Sequence, residues 1–136
     1  MIKYEYPPNY KDILEVLPAA RKKGVVFTYG EDVYSPSGKF TLDVAVHEDV
    51  HIQQQNHGAK DWWDKYLSDP AFRFQQELQA YQQQWVFAKS SMDRFTRRKL
   101  LRRISKDLAG PIYGNMVDRN FAAELIKTGT NIAMAK

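Results

Sequence analysis

Cysteine is absent from this 136-residue chain. That excludes a disulfide framework, a thiolate-rich zinc site and a thiol nucleophile. Long apolar runs are missing as well. No stretch reaches the eighteen or so apolar residues of a membrane span, and the opening MIKYEYPPNYKD holds no hydrophobic run of signal-peptide length. The expectation is therefore a protein without a secretory signal or a membrane partner. Internal repeats, low-complexity linkers and composition breaks are also lacking, and the length suits one domain, 1–136, with a core of its own. Acidic residues are absent from 94–106 (RFTRRKLLRRISK), which carries seven bases and leaves 13 bases against 16 acids for the rest of the chain. The formal charge of +4 is thus the property of one segment. Its Leu100, Ile104 and Leu108 recur every four residues, as in a packed helix. At most weak, non-specific nucleic-acid binding through 94–106 is expected.

Histidine is scarce, at three residues, yet two of the three frame a glutamate in His47-Glu48-Asp49-Val50-His51. On a helix, positions four apart lie on one face, so His47 and His51 can hold a single Zn²⁺ at roughly 2.0–2.1 Å per nitrogen. Glu48 projects beside the metal without needing to bind it, which suits a general base acting on water. The helical context is present: Thr41 as N-cap, apolar residues from Leu42 to Ile52, and no glycine or proline before Gly58. Gln54, three residues past His51, is placed to hydrogen-bond a ligand.

The remaining elements follow from punctuation and period. A short helix is expected near Lys11–Leu17, closed by Pro18. Val25–Tyr29 reads as a strand between two glycines, and Val33–Ser35 offers it a partner. Further helices are expected over Lys60–Leu67, from an Asp69 cap with Pro70 at its first position to about Lys89, from Asp93 through Leu108, and from Asp118 to near Gly129. Residues 130–136 read as a loose tail. The fold class is α+β, mostly helical, with a small N-terminal sheet and about five helices. Trp62 and Trp63 read as packing residues.

A catalytic zinc site needs a third protein ligand. His57 has the six-residue separation from His51 seen in H-E-x-x-H-x-x-G-x-x-H, but Gln54 stands where that pattern has its turning glycine. A continuing helix would carry His57 about 9 Å along the axis. Glu77 is the stronger candidate. It borders the stripe Phe74, Leu78, Tyr81, Trp85 and Ala88, and a carboxylate pushed toward a core needs a partner or a metal. Arg73, one turn earlier, is the alternative partner. Tyr81 and Tyr113 are candidate donors to a developing oxyanion, with packing as the competing role for Tyr81.

Taken together, HEDVHIQQQ, DWWDKYLSDPAFRFQQELQAYQQQW and DLAGPIYGNM resemble the small H-E-x-x-H proteins encoded by bacteriophages, themselves similar to compact gluzincins. The resemblance spans roughly residues 40–117. It implies a zincin-like fold and a zinc metallopeptidase acting on peptides or proteins, with His47, His51 and Glu77 as zinc ligands and Glu48 as general base. It also implies an extended substrate added to the Val25–Tyr29 strand by β-augmentation, and a location in the host cytoplasm or the virion. Related segments often carry a second acid two residues after the glutamate of E-x-x-A-Y; Gln79 occupies that place here. The alternative is a non-catalytic, zinc-stabilised structural or assembly protein of a phage particle.

Overall fold

Gly30 and Glu31 form a two-residue loop between Phe27–Tyr29 (β2) and Asp32–Tyr34 (β3), with Gly30 at φ +65°, a backbone state glycine adopts without steric penalty. A third strand, Ile2–Lys3 (β1), pairs parallel with β3, so the sheet order is β1-β3-β2. These coordinates come from a computed structural model that describes residues 1–131; most of the tail expected to be loose, from 132 on, lies outside the described residues. Among the described residues there are six α-helices and this one small sheet, an α+β and mostly helical chain. None of the helices is long and apolar enough to cross a membrane. The chain divides into two compact units, Met1–Ser68 and Asp69–Lys136.

The first unit contains the sheet, a short helix Tyr10–Val16 (α1), a 3-10 turn Pro18–Arg21, and helices Leu42–Gln54 (α2) and Ala59–Ser68 (α3). The proline that was expected to close α1 does begin the next turn. The expected strand is shorter than its apolar run: Val25 and Val26 precede the pairing, and the Val25 amide instead closes a turn onto the Lys22 carbonyl at 3.4 Å. The strand Ile2–Lys3 was not foreseen. Two residues carry no period, and its bonds are distant in sequence: the Val33 amide to the Met1 carbonyl at 2.9 Å and the Ser35 amide to the Lys3 carbonyl at 2.8 Å. Helix α2 starts where Thr41 predicts, with Thr41 extended at φ −94°, ψ 161°, but the hydroxyl makes no capping bond. It donates to Asp43 Oδ1 at 2.7 Å instead. In α3, Trp62, Trp63 and Tyr66 are buried, the Trp62 and Tyr66 rings stacking at 4.8 Å between centroids.

The second unit is built from Pro70–Ser91 (α4), Arg94–Leu108 (α5), a 3-10 turn Pro111–Tyr113 and Arg119–Thr128 (α6). Each of its three helices opens on an aspartate that caps it, as the sequence indicates. Asp69 accepts from the Ala71 and Phe72 amides at 3.0 and 3.2 Å, Asp93 from Thr96 at 2.8 Å, and Asp118 from Phe121 at 2.7 Å. Gly129 ends α6 in the left-handed conformation, φ +71°. The α4 stripe Phe74, Leu78, Tyr81, Trp85 and Ala88 packs against Leu100, Ile104 and Leu108 of α5 and Ala122, Leu125 and Ile126 of α6. Full burial of a Leu, Ile or Phe contributes about 1.5–3 kcal/mol each, so this apolar layer is what holds the three helices together. Gln82 adds a polar tie at the end of α6, its Nε2 donating to the Leu125 carbonyl, which also accepts the Gly129 amide, and to the Thr130 carbonyl just beyond the helix, both at 3.1 Å.

Candidate metal centre

Helix α2 presents His47 and His51 one turn apart, with ring centroids 4.9 Å from each other. Both are buried, at 8 % and 5 % exposure, and Glu77 of α4 is buried at 6 %. One ligand-capable atom from each of His47, His51 and Glu77 lies within 4.8 Å of the others. A tetrahedral ion at roughly 2.0–2.2 Å from each donor would hold such atoms about 3.4 Å apart, a closure within reach of side-chain rotation, and two imidazoles with a carboxylate form an established zinc donor set. This buried group could hold a metal ion.

The neighbours of the histidines are polar where orientation matters and aromatic elsewhere. His51 Nδ1 stands 2.8 Å from Gln54 Oε1. With that amide oxygen as the acceptor, the proton belongs on Nδ1, the tautomer in which Nε2 can ligate a metal. The indole of Trp62 lies 5.4 Å from the His51 ring and walls that side. Gln54 thus takes the orienting position its sequence spacing suggests.

Glu48 is 5 % exposed, and its Oε1 accepts a hydrogen bond from Thr28 Oγ1 at 2.9 Å. Its other oxygen is 3.7 Å from His47 Nε2, too far for a hydrogen bond but close enough to keep the carboxylate beside the histidines. Thr28 is itself 2 % exposed. Sequence reasoning missed it. A single threonine in a β-branched strand carries no motif, and its meeting with Glu48 joins positions 20 residues apart.

Thr28 is also held from its backbone. The Thr28 carbonyl accepts from Gln55 Nε2 and Trp63 Nε1, both at 2.9 Å, and Gln55 Oε1 accepts from the Gly30 amide at 2.7 Å. Its partner across the ladder is Val33, whose amide is directed to β1. The Thr28 peptide groups therefore face away from β3 along the outer edge of β2. Gln55 and Trp63 occupy that edge from Thr28 to Gly30. An extended peptide added along the whole of Val25–Tyr29, as the resemblance implies, would have to pair where these bonds already lie.

His57 is exposed in the turn that follows α2 and is not part of the metal-capable group. Helix α2 ends at Gln54, and the next residue, Gln55, is fastened to β2 by the bonds just described. That anchor fixes where the chain goes after the helix. Arg73, weighed as a partner for Glu77, is buried and its Nη1 donates to the Ile112 carbonyl. Tyr81 belongs to the core of the second unit and Tyr113 packs against it, so both have a packing role there.

The nine glutamines, all between 53 and 84, gain a partial physical account. Gln54, Gln55 and Gln82 each use a neutral amide to satisfy a buried or helix-terminal polar group without burying a charge. No family model, curated protein or solved structure matches this chain.

Proposed function

We propose that this chain is a zinc-dependent metallopeptidase of the compact gluzincin kind its motifs resemble, with a zincin-like fold. His47, His51 and Glu77 would hold the zinc, and Glu48 would serve as general base. The single observation that carries the reading is the buried His47–His51–Glu77 group with Glu48 held beside it by Thr28. Bound zinc supplies a Lewis acid that polarises a scissile carbonyl and makes water easier to deprotonate. Glu48 takes the proton from the attacking water and returns it to the leaving amine. Thr28 keeps the carboxylate aimed by donating to Oε1, leaving Oε2 on the side of His47. Gln54 fixes the His51 ring, so the lone pair required for ligation is presented without reorganisation. A purely structural zinc site has no use for a general base beside its ligands. A buried, oriented Glu48 therefore supports turnover over a static role.

The test is a paired measurement on purified protein. About one equivalent of zinc is expected in the wild type and in Glu48→Gln, with cleavage of an unfolded protein or a peptide library seen only in the wild type. Absence of zinc after purification in zinc-containing buffer would refute the proposal. Zinc retained by both proteins with no cleavage by either would favour the zinc-stabilised structural role.

A further inference from the structure

We propose that the exposed face of α5 is a docking surface for single-stranded nucleic acid, a role independent of the metal centre. The seven bases of 94–106 do not act as one group. Arg97 is half-buried and its Nη1 turns back to the Lys89 carbonyl at 3.4 Å. The other six are exposed. At 100° per residue, Arg94, Arg98, Arg102 and Lys106 form one row along the helix, and Lys99 and Arg103 form a second beside it. Together they cover about half the cylinder, with successive bases of a row about 6 Å apart along the axis. Between 94 and 106 the arc includes no acid; exposed Asp107, the next position of the second row, bounds it at the C-terminal end.

Phe95 heads the second row and is 73 % exposed, although Leu100, Ile104 and Leu108 on the opposite face are buried. The ammonium of Lys99 lies 5.2 Å from the centre of its ring. A large aromatic ring left in water within a cationic field is a poor contributor to the core and a good platform for a base. Phosphates would lie along the arginine row, and an unstacked base would rest on Phe95. Duplex is the weaker fit, because its bases are already stacked on one another. An anionic membrane is weaker still: the apolar face that an interfacial helix would insert is already consumed in the core of the second unit, leaving Phe95 as its one exposed large apolar side chain.

The experiment is fluorescence anisotropy of a labelled oligothymidylate with the full chain across a salt series. Four to six neutralised phosphates give a slope of log K against log salt of about −3 to −4, so affinity falls about 100-fold between about 50 and 200 mM salt and is lost near physiological salt. Phe95→Ala is expected to weaken binding about 5- to 100-fold, with Phe95→Trp restoring it. The triple reversal Arg98→Glu, Arg102→Glu and Arg103→Glu abolishes binding; all three positions are exposed, and circular dichroism checks that α5 persists. Equal affinity for heparin or for duplex, together with indifference to Phe95→Ala, overturns the proposal in favour of a general polyanion patch. Binding to phosphatidylserine vesicles without binding to the oligonucleotide, or no binding at low salt, overturns it outright.

Discussion

Thr28 Oγ1 donates to Glu48 Oε1 at 2.9 Å, joining a buried strand hydroxyl to the buried glutamate of the His-Glu-x-x-His run, which stands outside the metal-capable group. The strand side of this bond cannot drift, because the Thr28 carbonyl is fixed by Gln55 and Trp63. Replacing Thr28 by valine keeps the shape and removes the donor. We expect Thr28→Val to lower kcat at least tenfold with zinc content unchanged, and to cost about 1–3 kcal/mol in stability for the buried acceptor left short of a partner. Thr28→Ser should recover most of both. Full activity in Thr28→Val, by steady-state kinetics on any peptide found to be cleaved, would remove Thr28 from the machinery.

The third ligand is tested by metal affinity alone. Glu77→Ala is expected to weaken zinc binding by about 100-fold or more, exceeding the 10- to 100-fold typical of an outer partner, while His57→Ala leaves it unchanged. Competition with a fluorescent chelator reads both. Equal losses in the two variants would point to a chain reversal after His51, against the course that Gln55 imposes.

Gln54 and Gln53 are adjacent and chemically identical, which makes them a clean pair. Gln54 orients His51 at 2.8 Å, whereas Gln53 is exposed and donates to Asp49 at 3.2 Å. Gln54→Ala should reduce zinc affinity or turnover about 10- to 100-fold. Gln53→Ala should change neither. Identical behaviour of the two would mean the His51 contact has no functional weight.

Asp93 gives the pH dependence. Its carboxyl is held below the ordinary value of 3.8 by the Thr96 amide it accepts from at the start of α5. A carboxyl with a depressed folded-state pKa contributes stability above the unfolded value and loses it as pH falls through the folded value. Asp93→Ala should therefore destabilise α5 at neutral pH, with the difference from wild type shrinking only as the solution is acidified below 3.8. Denaturant midpoints of the two proteins, followed by circular dichroism from neutral to acid pH, check the sign. A difference that grows on acidification contradicts the capping role.

Asp69, Asp93 and Asp118 show how far local chemistry reaches. Each was legible as a cap because an aspartate before a helical stripe satisfies orphan amides within three residues, and each does so. Thr41 marked its helix start equally well, yet its hydroxyl went to Asp43, since a cap position can be read from sequence but its rotamer answers to neighbours. The strand Ile2–Lys3 was invisible for the opposite reason. Its bonds run to residues about thirty positions away, and two residues offer no alternation to read.

Within the site the same division holds. The sequence by itself placed His47 and His51 on one helical face and Gln54 within reach of His51, because 3.6 residues per turn leaves no other arrangement once 42–54 is helical. It also marked Glu77 as a carboxylate facing a core. Only the tertiary structure decided that a Glu77 oxygen lies within 4.8 Å of both histidines, that Thr28 aims Glu48, and that Gln55 is fastened to β2 while His57 stays in solvent. Those relations depend on how elements distant in sequence pack, and side-chain burial and hydrogen bonding over such separations have no local period to announce them.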